Sequence, residues 1–533
     1  PIPALEQFGA GLGAQVHQPN HNFAPQLAIA WDPGKNGKTV VRAGAGLFYE
    51  NAVFNNILFD RPGRLTQGLF FGTADICPSG SLVLPNGTII DTSAICSGRV
   101  GSVAGLLPGL AATYQAAIAA AGASSNPGFV GTTLAEGANS TGNNLISPDY
   151  RTPYSMQFNV GIQHELRPGT ILTVDYLRNV GVHYLLAYDT NHVGDARFLN
   201  KNAALNAITA TNASFGCPAG VAGINCAISA GASIVDYAGN GLDSGASFLA
   251  ATPASLNGLT PDTGAAFPGI NPNIGENQML FPIGRSVYNA LQVSLRTNVK
   301  HPFSGLRSLD LQVSYALSRF NSMAQDQDFI NNAFDFANTS RFFGPNGLDR
   351  THQFSFGGVM DFPTGFRASF ISHIYTALPL TLTLPASGNP GEIFLTDVTG
   401  DGTTGDIVPG TNIGSFGRDV NVSNLNGVIS NYNSTQAGQL TPAGQALVSA
   451  GLFTQAQLIA LGAVSPTVTP APAGQVALSP LLTFDLRLGW VLKPGKKWAR
   501  FGESFTIEPT VAIFNLFNFA NFDSPNNLPS GEL

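Results

Sequence analysis

Ten-residue segments in which apolar and polar side chains alternate recur along this chain, and they limit its fold more than any other feature. In Leu309 to Ser318, residues Leu309, Leu311, Val313, Tyr315 and Leu317 share one parity, and Asp310, Gln312, Ser314, Ala316 and Ser318 the other. Successive side chains of a strand point to opposite faces, so this pattern makes a strand with one apolar and one wettable face. Met156 to Leu166, Asn289 to Arg296, His352 to Phe362 and Leu482 to Trp490 alternate likewise. About ten residues is the length a tilted strand needs to cross a bilayer.

Strands also come in pairs. Gln26 to Trp31 and Thr39 to Tyr49 flank a turn at Asp32 to Lys38, and the strand from Met156 turns at Arg167-Pro168-Gly169 into Thr170 to Arg178. His352 to Phe362 turns at Pro363-Thr364-Gly365, and Leu482 to Val491 turns at Lys493 to Lys497. Between hairpins lie long stretches, about 72–153, 191–282, 321–347 and 384–480. Short turns on one side and long loops on the other are the asymmetry of a transmembrane β-barrel. Composition agrees: charged residues make up 11% of the 533, less than half of the roughly 25% usual in soluble domains. No run of 18 apolar residues could span as a helix, so the apolar character lies in alternation. The net charge of -7 and scattered basic residues exclude nucleic acid as an expected partner. The first residues carry no initiator Met and no signal-like apolar run, so any export signal is expected to be removed or to lie elsewhere.

The four cysteines fall in two sequence-local pairs, Cys77 with Cys96 and Cys217 with Cys226, each inside a loop. Four cysteines allow three pairings; loop closure favours the local one. Disulfides in loops point to an oxidising compartment. Helix-like runs occupy Gly109 to Gly122 and Thr441 to Gly462, the second punctuated by Gly444 and Gly451. The most site-like cluster is Asp397 to Asp406, whose acids Asp397, Asp401 and Asp406 alternate with glycine turns. Such a loop is a candidate calcium site, although it has neither EF-hand spacing nor a bidentate Glu, and a plain polar turn explains it as well. No other cofactor is expected. Glu165, Asp175, Asp310 and Asp485 fall on the wettable strand faces, where each stays hydrated without a chemical role. No nucleophile, zinc or phosphate-loop motif occurs, so no enzyme is expected.

Several blocks carry a resemblance. Pro25 to Pro33 with Gly37 to Tyr49, Pro153 to Glu165, Tyr288 to Leu295, Val313 to Ser318, Asp349 to Phe354 and Phe514-Asn515-Leu516-Phe517-Asn518 are similar, in order, to the barrel of Oar-like TonB-dependent receptors. That resemblance implies an all-β, antiparallel outer-membrane barrel of 22 strands, plugged by an N-terminal domain and energised by the TonB complex through a short box. Here ten to twelve strands are countable and neither plug nor box is found, so residues 1–533 read as a carboxy-terminal barrel portion of such a receptor. The expected surroundings are bacterial outer-membrane lipid, with loops extracellular. The expected partners are the TonB complex, through an N-terminal region missing here, and an unidentified extracellular ligand such as an oligosaccharide or peptide. Two other readings remain open: a surface barrel or adhesin without energy-coupled transport, and a soluble extracellular β assembly protein.

Overall fold

The computed structural model describes residues 3–17, 19–50, 80–83, 88–110, 145–243, 265–271, 277–324, 335–472, 478–493 and 506–521, together with Cys77, residues 112–113, 116 and 331–332. Ten strands form one continuous antiparallel path in chain order. They are β1 Gln26–Trp31, β2 Thr39–Tyr49, β3 Tyr154–Arg167, β4 Thr170–Asp189 and β5 Gln278–Lys300, followed by β6 Ser308–Ser322, β7 His352–Asp361, β8 Phe366–Tyr375, β9 Leu481–Trp490 and β10 Thr510–Ile513. Three two-residue strands join the same sheet near its loop end, at Leu145–Ile146, Asn331–Asn332 and Gly344–Pro345. β1 and β10 stand at the two ends of the path, and among the described residues they do not pair with each other. Every described strand beginning and end alternates direction, so the connections after β2, β4, β6 and β8 all leave from one end of the sheet. These are the four long ones, and the turns lie at the other end. The β1–β2 turn is closed by the Asp32 carboxylate, which accepts from the N–H groups of Gly34 and Gly37 at 3.1 and 2.7 Å.

Register confirms the two faces. Residues directly opposite in a ladder lie on the same side. Val313 pairs with Leu295 and Phe356, and Tyr315 with Val293 and Phe354, making one apolar side. Arg42, Gly161, Asp175, Gln292, Ala316, Gln353 and Tyr375 form one continuous row on the other side. Ser294, Ser314, Ser355, His373 and Thr483 form the next. Glu165, Asp310 and Asp485 share the polar side with Asp175, as the alternation predicts. Phe158, Val160 and Ile162 are nearly half exposed on the apolar side, which is the surface a bilayer covers. Among the described residues no helix is long and apolar enough to cross a membrane.

Two strands are much longer than the alternation suggested. β4 has 20 residues and β5 has 23, against the spans Thr170 to Arg178 and Asn289 to Arg296 read from pattern. Bulges at Val182/Tyr184 and Tyr184/Leu186 mark the change. Toward the long-loop end the β4–β5 pair rises into the loops, and there Leu186, Ala187, Met279 and Leu280 are all fully buried. Alternation fails at these four residues because successive side chains on both faces are covered.

Candidate functional site

The loops above the sheet are not irregular. The connection after β4 contains helix α1, Lys201–Ser214, and helix α2, Ile224–Ser229. The connection after β8 contains α3 Val422–Thr435, α4 Pro442–Ser449 and α5 Gln455–Ala460. Each of the longer helices begins on a side-chain cap: Asn200 accepts from the N–H groups of Asn202 and Ala203, Asn421 from Ser423 and Asn424, and Thr441 from Gly444. The run Thr441 to Gly462 is therefore helical as expected but is split in two, with Gly451 and Gly462 at positive φ and Gly444 inside α4. The other expected run, Gly109 to Gly122, lies mostly outside the described residues.

The two connections share a single apolar core. Ile208, Ile224, Tyr237 and Phe267 from the first pack with Phe394, Leu447, Phe453 and Leu458 from the second. Phe267 meets Phe394 edge-on at 5.9 Å, and Tyr237 meets Phe453 at 5.5 Å. The Tyr237 hydroxyl donates to Asn212 Oδ1 at 2.8 Å, so even this buried ring keeps a polar partner. Together they make one cap. Its disulfide Cys217–Cys226 ties the end of α1 to α2, and Cys77–Cys96 lies in the connection after β2, so both expected pairings are present.

The Asp397–Asp406 turn sits at a seam. The Asp195 and Asp401 backbones form an isolated bridge, and the Ala196 N–H donates to the Gly400 carbonyl at 3.0 Å. The Phe336 N–H, from the connection after β6, donates to Asp401 Oδ2 at 2.6 Å. Three long loops thus meet at one turn. Gly402 is at φ +95°, and a Cβ there would strike the Val193 carbonyl, so glycine allows the close approach. The three acids expected to form a site do converge and are buried. Their oxygens, however, are all engaged by this chain's own donors. Asp397 accepts from Gly400, Gly402 and Thr399; Asp401 from Phe336 and Thr403; and Asp406 from Thr399 and Thr403. These bonds hold the turn together through the chain's own donors. Among the described residues no group of three or more His, Cys, Asp or Glu is set out to hold a metal. Burial first, then the neighbouring acids, raises the Asp397 carboxyl well above the usual range; burial foremost pushes Asp406 up to about 7.

Below the cap, the polar side of the sheet holds a cleft of about 270 Å³ lined by Asp175, Gln292, Ser294, Ser314, Gln353 and Tyr375. Ser355 Oγ lies 2.9 Å from both His373 Nδ1 and the Tyr375 hydroxyl. Arg42 reaches Asp175 at 3.9 Å across the intervening strand β3, and it can do so because Gly161 lies between them in the row. A Cβ on Gly161 would collide with the Asp175 carboxylate. Neutral donors and acceptors in alternation, with one ion pair, suit a hydroxyl- or amide-rich solute more than an ion. Sequence reading missed Asp195, Phe336 and the buried pair Arg418–Asp349 at 2.8 Å, because each works through a partner tens of residues away.

An outward apolar belt, an inward polar wall and long loops gathered at one end are the anatomy of a membrane barrel wall. Residues 5–532 match the family model of the outer membrane beta barrel domain. The chain belongs to that family. As an outer membrane beta barrel domain it is similar in part to solved structures of this membrane. The outer membrane transporter YddB from Escherichia coli is 10% identical with a TM-score of 0.40, the match covering 94% of this chain and 37% of that one. The siderophore receptor PirA from Acinetobacter baumannii is 9% identical with a TM-score of 0.34, covering 96% and 39%. PirA from Pseudomonas aeruginosa is 10% identical with a TM-score of 0.24, covering 67% and 34%. The chain thus spans well under half the length of each. No curated protein matches it.

Proposed function

We propose that this outer membrane beta barrel domain is the barrel portion of an uptake receptor of the Oar-like, TonB-dependent kind, taking a large ligand such as an oligosaccharide or peptide. The observation that carries this reading is the cap. Two connections separated by the four strands β5 to β8 fold onto one apolar core above a polar-lined wall. A rigid cap of that size over a wettable channel wall is suited to selecting a solute before it enters, and such binding sites are disproportionately built on loops held by a rigid scaffold. The long-loop end is then extracellular, and energy coupling through a plug and TonB box belongs to a further region of the receptor. The barrel strands and their loops 72–153, 191–282, 321–347 and 384–480 belong to this one barrel portion, with no catalytic role assigned. The test is accumulation of fluorescent oligosaccharides and peptides by cells making the intact protein, with and without a working TonB complex. Uptake that requires TonB supports the reading. Surface binding that persists unchanged without TonB, with no internal signal, would replace it with the adhesin.

A further inference from the structure

Charge is distributed unequally between the two faces of the sheet. At membrane height the strand acids Glu165, Asp175, Asp310, Asp361 and Asp485 all lie on the polar side. The apolar side nevertheless carries two arginines in one row. Arg178 on β4 pairs with Asn289 on β5, which pairs in turn with Arg319 on β6. The row continues the apolar register: immediately below it, toward the turn end, come Tyr176, Leu291 and Leu317, each about 40% exposed. Arg178 and Arg319 are exposed, and among the described residues neither has an acidic partner.

Height fixes what they meet. From Leu309 at the turn end, Arg319 is ten residues along β6, about 33 Å of strand, or about 25 Å across the membrane at a tilt near 40°. That is the thickness of the apolar belt of such a barrel, so the row sits where acyl chains give way to headgroups. It is also partly built. Asn289 Oδ1 accepts from Arg178 Nη1 at 2.8 Å and from the Tyr176 hydroxyl at 3.2 Å, which holds the guanidinium against the sheet instead of leaving it free to wander. Arg178 and Arg319 stand two strand spacings apart, about 10 Å, close enough for both long side chains to converge on one anion.

We infer that Arg178, Asn289 and Arg319 form an exterior site for the phosphate-bearing headgroup of a membrane lipid in the leaflet at the long-loop end, its acyl chains lying over Tyr176, Leu291 and Leu317. Guanidinium forks match phosphate geometry, and among the described residues no strand carboxylate lies on this face at membrane height to compensate the positive charge. The proposed orientation makes that leaflet the outer one, but the site itself does not depend on uptake.

The test uses the intact protein in nanodiscs of phosphatidylcholine doped with diphosphoryl lipid A or with its dephosphorylated form. Lipid retained per protein after detergent exchange is read by native mass spectrometry. The wild type should keep the diphosphoryl form and not the dephosphorylated one. The double variant Arg178→Gln/Arg319→Gln should retain it about thirtyfold less, as expected for removing two cations from an anionic lipid contact. Arg487→Gln, on the polar side, should retain it like the wild type. If the double change impairs folding, Arg319→Gln alone, which removes no side-chain hydrogen bond among the described residues, should lower retention in the same direction. Equal retention by the folded Gln variants, or of the dephosphorylated lipid, would overturn the site and leave only nonspecific interfacial arginines.

Discussion

Wall and cap use large apolar side chains in opposite directions. In the wall, Phe158, Val160 and Ile162 point away from the protein and rely on a surrounding solvent of acyl chains. In the cap, Tyr237, Phe267 and Phe394 have no accessible surface and are held in one shared core. The wall therefore gains nothing from water exclusion until a membrane is present, and its cohesion comes from ladder hydrogen bonds that have no competitor in lipid. The cap is an ordinary water-soluble core and draws on the hydrophobic effect. Two halves of one chain should then fail under different insults.

The largest separation is expected from Phe394→Ala. Removing a fully buried ring that packs on Phe267 should cost the cap about 3 to 5 kcal/mol. Limited proteolysis should cut the connections after β4 and β8, while the strands keep their detergent-resistant, heat-modifiable mobility. Loss of both together would show that the wall depends on the cap and that the two are one cooperative unit.

Next in size is a pH effect confined to the cap. Asp406 titrates near 3.8 when unfolded and is pushed up to about 7 in the folded turn, with Asp397 displaced in the same direction. The folded cap therefore binds the proton more tightly. Its stabilisation is fully present below about pH 4 and is lost as the pH rises through about 7, a swing of roughly 4 kcal/mol for Asp406 alone. Cap proteolysis should accelerate between pH 5 and pH 8, and Asp406→Asn should flatten that slope. A wild-type cap that becomes more protected as the pH rises would contradict the assignment, because the sign would be reversed.

Third comes the lipid face. Val313→Arg should cost about 2 to 4 kcal/mol near the midplane, and Ser314→Arg much less, because their side chains lie on opposite sides of β6. Spin labels along Leu309 to Ser318 should be quenched at odd positions by a lipid-soluble reagent and at even positions by a water-soluble one. Odd positions shielded from both would mean that protein, not lipid, covers this face.

These expectations differ in how much of them the sequence displays. Strand faces were legible because lipid and water impose a period of two that each segment records locally, as in Leu309 to Ser318. β1, β2 and the turn at Asp32 could be placed to the residue for the same reason. The cap was not legible, since its core joins Phe267 to Phe394 and Tyr237 to Phe453 across long stretches of chain, and its helices are rich in alanine, asparagine and threonine with little one-sided pattern. The caps at Asn200, Asn421 and Thr441 were the available signal. The acidic turn was visible, but its partners Asp195 and Phe336 belong to other loops, so nothing local marks it as the seam where three connections meet.

The smallest effect is expected in the wall's own polar row. Arg42 and Asp175 are both partly exposed and 3.9 Å apart, so Arg42→Gln should shift the urea midpoint by no more than about 1 kcal/mol in equivalent stability, less at high salt. Gly161→Val is the informative companion, because it leaves both charges in place and fills the gap through which they meet. If the pair contributes only weak screened attraction, the valine variant should lose stability through collision with the Asp175 carboxylate and β-bulge-like distortion of β3, and added salt should not rescue it. A loss that matches Arg42→Gln in size and in salt dependence would instead mean that the ion pair is what this row contributes, and that the polar wall, like the cap, is stabilised by its internal contacts.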